Sequence, residues 1–223
     1  MKIDTKRLGT MGSIIRILRR NGRGFVFTAG DFSGVGSRTA IDKSLSRLAK
    51  AGVIRRLGRG VYDFPRRSKS LGLVTPSTES IARAIARHEG VGLQVSGARA
   101  ANALGLSTQV PARSLFLTEG TPRIRRIAGQ SFEMKRAARK RFVGAGSRAR
   151  TAIEALRHLG RRQATVEHVK RVVGALDSDD RDEFYALCRT APAWLQRIIE
   201  RQHSAIEDVT DRITGPTLRD EER

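Results

Sequence analysis

The chain has 223 residues, 39% of them apolar, which suffices for packed cores and for two modest domains. It carries 43 Lys and Arg against 22 Asp and Glu, a net charge of +21. Its single cysteine, Cys188, excludes an intramolecular disulfide and any cysteine-cluster metal site. The charge is uneven. Residues 1–70 hold 17 basic and 4 acidic side chains, residues 71–150 hold 14 and 4, and residues 151–223 hold 12 and 14. Uniform enrichment in Arg does not produce a near-neutral last third, so the basic front points to a polyanionic partner. No stretch approaches the ~20 apolar residues of a membrane helix, and Met1–Arg20 lacks the apolar run of a signal peptide. The expectation is a cytoplasmic protein with no membrane partner.

Ile14, Ile15, Ile17 and Leu18 among Arg16, Arg19 and Arg20 predict a first helix over about 10–21, stopped by Asn21 and Gly22. Phe25-Val26-Phe27 reads as a short strand. Thr28 reads as an N-cap with Asp31 three residues on, opening a short helix that ends near Gly34 and Gly36. Ser37 caps the next helix, 38–51, with Ile41, Leu45 and Leu48 on its inner face and Gly52 after its end. Two β-rich runs, 53–57 and 61–64, flank a Gly58-Arg59-Gly60 turn and read as a hairpin. Tyr62 and Phe64 are assigned to the hairpin core. Helix, strand, helix, helix and basic-tipped hairpin are the order of a winged helix-turn-helix.

Residues 65–75 read as a polar linker. A helix from Pro76 to about His88, with Ile81, Ala84, Ile85 and His88 inward, is followed by one from Ser96 to Leu104. Strands are expected at 115–117, 124–127 and 131–134, and helices at 149–159, 165–176, 181–187 and from Pro192 to about Ile206. The fold class is α+β: a winged-helix domain over 1–67, an α+β middle domain over 74–145, a helical C-terminal region over 149–208 and a flexible tail over 209–223. Cys188 and Trp194 are read as core.

Binding duplex DNA needs cations against phosphates and a helix whose end reaches base edges. The helix starting at Ser37 offers both. Ser37, Arg38, Thr39 and Lys43 near its amino end are candidates for base or phosphate contact, and Arg47 and Lys50 for the backbone. Arg59 at the hairpin tip suits the narrow minor groove, where Arg is favoured, and Arg55 and Arg56 flank it. Enzyme chemistry finds little footing. His88, His158, His168 and His203 form no ligand motif, and no phosphate-binding glycine loop or nucleophile elbow occurs. Glu133 and Lys135, with Glu119 upstream, resemble the carboxylate–lysine pattern of metal-dependent nucleases, but the Asp of that pattern is missing. No cofactor and no metal are expected.

The run Gly24-Phe25-Val26-Phe27-Thr28, then Asp31-Phe32, Gly36-Ser37-Arg38, Leu45-Ser46-Arg47-Leu48 and the hairpin IRRLGRGVYDFP (54–65) resemble the N-terminal winged helix of AbiEi-like antitoxins. These belong to bacterial type IV (AbiE-type) toxin–antitoxin systems, which act in phage defence. TEGTPRIRRI (118–127) and FEMKRA (132–137) carry the likeness more weakly into the middle of the chain. The resemblance implies a non-enzymatic protein that binds an operator upstream of its own operon, represses it, and counteracts a cognate nucleotidyltransferase toxin. Direct contact with that toxin and a homodimer on DNA both stay open. The alternatives are a winged-helix regulator whose middle domain senses a ligand, and a nuclease using Glu133 and Lys135.

Overall fold

The structure, a computed structural model, describes residues 9–70, 72–109, 111 and 113–214, with side chains described to 204. It is a mixed α+β fold with eight α-helices among the described residues and several small sheets. None of the described helices is long and apolar enough to cross a membrane. The chain groups into two compact units, Met1–Leu93 with Arg113–Ala137 and Gln94–Ala112 with Ala138–Arg223.

The first unit begins with α1 (Gly9–Asn21), β1 (Val26–Thr28), a 3-10 turn (Ala29–Phe32), α2 (Arg38–Lys50), β2 (Arg55–Gly58) and β3 (Val61–Asp63). The three strands form one antiparallel sheet in the order β1-β3-β2. Local chemistry fixes the starts of these elements. Thr28 and Asp31 form a reciprocal capping box, Thr28 N–H donating to Asp31 at 2.8 Å and Gly30 N–H to Thr28 Oγ1 at 3.2 Å. Ser37 caps α2 by accepting from Ala40 N–H at 3.3 Å. Ile14, Leu18, Phe27, Phe32, Ile41, Leu45 and Leu48 are all buried in one core, each worth roughly 1.5–3 kcal/mol on removal from water. Phe27 stands at its centre, edge-on to Phe32 at 5.2 Å and stacked on Tyr62 at 5.9 Å.

The same unit continues into β4 (Arg67–Ser68), β5 (Gly72–Leu73) and α3 (Thr78–Glu89). β6 (Leu93–Val95) stands where the chain passes to the second unit, which opens with α4 (Gly97–Ala103). The chain then returns to the first unit in β7 (Ser114–Thr118), β8 (Arg123–Ile127) and β9 (Gln130–Arg136). β9 lies between a parallel β7 and an antiparallel β8. Phe116, Phe132 and Met134 of β7 and β9 are buried, with the two phenylalanines edge to face at 6.0 Å. Arg87 of α3 fastens these elements to β1 and its turn. Its Nη2 donates to the Val26 carbonyl at 2.8 Å, its Nε to Asp31 at 3.0 Å, and its guanidinium lies over the Phe25 ring.

The second unit is helical: α4, α5 (Arg148–Gln163), α6 (Val166–Gly174), α7 (Ser178–Leu187) and α8 (Ala193–Thr214). Ile153, Leu156, Val169, Val172, Phe184, Leu195 and Ile199 form its core, and Trp194 and Cys188 pack against it. Burial raises the Cys188 thiol pKa. Inside this unit Arg150 is buried and donates to Val143 O at 2.7 Å and Thr190 Oγ1 at 2.8 Å. The buried Glu154 is bonded by Arg141.

Several expectations are corrected. The stretch 65–75 is not a featureless linker: β4 and β5 pair as a short antiparallel ribbon, closed by Val74 N–H to Arg66 O at 2.9 Å. His88 does not face inward but is exposed, because it follows the last buried turn of α3. The helix expected over 149–159 does end before Gly160 (φ +75°), which breaks it, and a second short helical stretch follows to Gln163. The helix expected from Arg181 starts at Ser178, capped by Asp177. The last helix reaches Thr214, beyond the boundary at 209 set for a tail, and residues 215–223 lie outside the described residues.

Candidate nucleic-acid interface

α2 is amphipathic by construction. Ile41, Leu45 and Leu48 point into the core, and Ser37, Arg38, Thr39, Lys43, Arg47 and Lys50 are exposed on the other side. Burying the inner stripe therefore presents four cations in about three turns of helix. Arg38 is partly occupied: it pairs with Asp42 one turn on, at 2.8 Å, with 68% and 52% of the two side chains exposed. In water such a pair holds weakly, so Arg38 can exchange Asp42 for another anion.

The hairpin β2–β3 pairs Arg56 with Tyr62 and Gly58 with Val61, with an irregularity between Arg56 and Gly58. Gly60 takes φ +74°, which only glycine adopts without strain, and the turn lifts Arg59 into solvent. Arg56 and Arg59 are exposed. Arg55 is not presented in the same way. It bonds Asp63 through two nitrogens and donates to the Val74 carbonyl at 2.9 Å. The hydrogen bond to Asp63 raises the Arg55 pKa. Of the nine sequence-derived candidates, eight are solvent-exposed, and Arg55 is bound into the sheet.

A groove of about 760 Å³ lies within the first unit, between the amino end of α2, the hairpin turn and β8. Arg38, Arg56, Arg59, Arg125 and Arg126 line it, with His88 at one side. Arg125 and Arg126 were missed by the sequence reading. The signal was the run Arg123-Ile124-Arg125-Arg126-Ile127, which resembles any solvated strand until the strand is placed beside the hairpin.

The enzyme-like residues are differently engaged. Lys135 Nζ lies 3.7 Å from Glu133 Oε1 on β9, and Glu119 accepts the Gly92 N–H at 3.1 Å. His168 completes the Thr165 cap of α6, and the His203 ring lies 4.2 Å from that of Tyr185. Among the described residues no group of three or more His, Cys, Asp or Glu is placed to hold a metal ion.

Fold and site define an α+β protein whose first unit gathers an arginine-rich surface on a helix and a hairpin. A family model matches residues 13–184, most of the chain. The protein belongs to that family, DUF6088, a family of unknown function. No curated protein matches the chain.

Proposed function

We propose that residues 9–64 act as a winged helix that binds duplex DNA, and that the protein is an autorepressing antitoxin. The observation that carries the DNA-binding half is the exposed cationic face of α2 beside the Arg59-tipped hairpin, both built on one core. In this reading the amino end of α2 enters the major groove, where Arg38, Thr39 and Lys43 meet base edges or phosphates. Arg47 and Lys50 hold the backbone, and Arg59 enters the adjacent minor groove. Arg55 supports the hairpin and leaves the contact to Arg56 and Arg59.

The antitoxin half rests on the resemblance of the 24–65 segment to AbiEi-like proteins. The target DNA is then the operator upstream of the protein's own operon, in the cytoplasm, and the toxin a nucleotidyltransferase. The near-neutral charge of residues 151–223 suits a partner other than DNA. Two experiments separate the halves. Fluorescence anisotropy against the upstream DNA should show saturable binding, and its absence rejects the winged-helix reading. Co-expression with a candidate nucleotidyltransferase toxin from the same operon should restore growth. Failure to do so rejects the antitoxin role and leaves DNA binding standing.

A further inference from the structure

We infer that Arg125 and Arg126 of β8 bind the phosphodiester backbone of the DNA strand that passes the hairpin, so that the duplex is held on three elements instead of two. The inference rests on the winged-helix reading above and adds a third contact element to it.

Three observations carry it. The hairpin is braced by β8: Ala128 N–H donates to the Leu57 carbonyl at 3.3 Å. The Ile127 side chain lies close enough to Gly58 that a Cβ there would meet its Cγ2 at 3.5 Å, ordinary van der Waals contact. β8 is itself fixed, pairing residue by residue with β9, where Phe132 and Met134 are buried. Hairpin and strand thus hold a set geometry, and a ligand that meets one meets the other.

Charge selects the ligand. Arg123 on the same strand is taken by Glu89. Arg125 and Arg126 are exposed and, like Arg56 and Arg59, form no ion pair among the described residues. Both line the groove that Arg38, Arg56 and Arg59 also line. Asp42 and Glu89 also line the groove, but they are engaged by Arg38 and Arg123, so its five guanidinium groups leave it net positive and suited to an anion of repeating charge. A phosphate backbone supplies that repeat. Arg125 and Arg126 are adjacent on the wall of that groove and suit neighbouring phosphates, a positioning contact without base readout.

The test is the full-length double variant R125Q/R126Q, which keeps a polar side chain at each position and removes both charges. Binding to the upstream duplex is followed across a salt series, with Tm measured alongside. Losing two phosphate contacts should make the slope of log K against log salt shallower by about 1.8. Sequence preference and Tm should be unchanged, and R125K/R126K should restore the slope. A slope and affinity equal to the parent's, while Arg59→Ala weakens binding, overturns this inference and spares the winged-helix reading. A parent chain that binds no duplex overturns both.

Discussion

Arg55 and Asp63 face each other across the β2–β3 ladder, and their side chains close into a two-bond ion pair, Nε to Oδ1 at 3.1 Å and Nη2 to Oδ2 at 2.6 Å. The Asp63 side chain is 1% exposed and that of Arg55 30%. A carboxylate so buried is tolerated because a matching fork satisfies it. The pair also anchors the following segment, since the same guanidinium holds the Val74 carbonyl.

Removing either partner should therefore cost stability before it costs DNA binding. Arg55→Ala leaves Asp63 buried without its cation and is expected to destabilise the first unit by about 3 kcal/mol. Arg55→Lys should recover only part of that loss, because an ammonium cannot reproduce the fork. Thermal unfolding checks the cost, and anisotropy on the folded variant checks the contact. Lost affinity at an unchanged Tm would make Arg55 a DNA contact.

The amino end of α2 gives the opposite expectation. Arg38 and Asp42 are exposed, so their substitutions should leave Tm nearly unchanged. Asp42→Asn should tighten duplex binding a few-fold, because it removes a negative charge and releases Arg38 toward the DNA. Arg38→Ala or Lys43→Ala should cost ~1–3 kcal/mol and relax preference at one position if the side chain reads a base. Arg59→Ala should cost roughly 1 kcal/mol with little change in preference, since the minor groove offers a degenerate pattern. Competition between the upstream DNA and a scrambled duplex measures both quantities. Weaker binding by Asp42→Asn contradicts this docking.

Much of the first unit was legible because short-range chemistry dictates it. The Thr28–Asp31 capping box, the Ser37 cap and the Ile41, Leu45, Leu48 stripe each follow from spacings of three or four residues, and each is present. What was not legible depends on partners distant in sequence. Asp63 is buried on β3 because the Arg55 guanidinium on the neighbouring strand satisfies it, a partnership that spacing along β3 does not show. β4 and β5 have two residues each, too few for a periodic signal. Arg125 and Arg126 acquire their place from the 3.3 Å bond between Ala128 and Leu57, 71 positions apart in the chain. No local pattern encodes such a contact.

The helical unit carries a prediction of its own. A Cβ on Gly97 would stand 2.5 Å from the Glu154 carbonyl oxygen and 2.7 Å from the His158 Cβ. Glycine at the start of α4 is what allows that helix to approach the backbone of α5. Gly97→Ala should force the two apart and destabilise the second unit by roughly 1–3 kcal/mol. Duplex affinity should be unaffected while the protein is folded. Chemical denaturation followed by Trp194 fluorescence reports on this unit, since Trp194 packs against its core. An unchanged midpoint would mean that α4 and α5 do not pack this closely.

The central claim, that the basic helix and hairpin bind duplex DNA through its phosphates, is tested most directly by the salt dependence of affinity for the intact chain. Contact with about 5–8 phosphates predicts a slope of log K against log salt of roughly −4.5 to −7. That slope should be measured by fluorescence anisotropy with the DNA upstream of the protein's own operon. A slope in that range is the expected result, and a slope near zero, or no binding at low salt, contradicts the account.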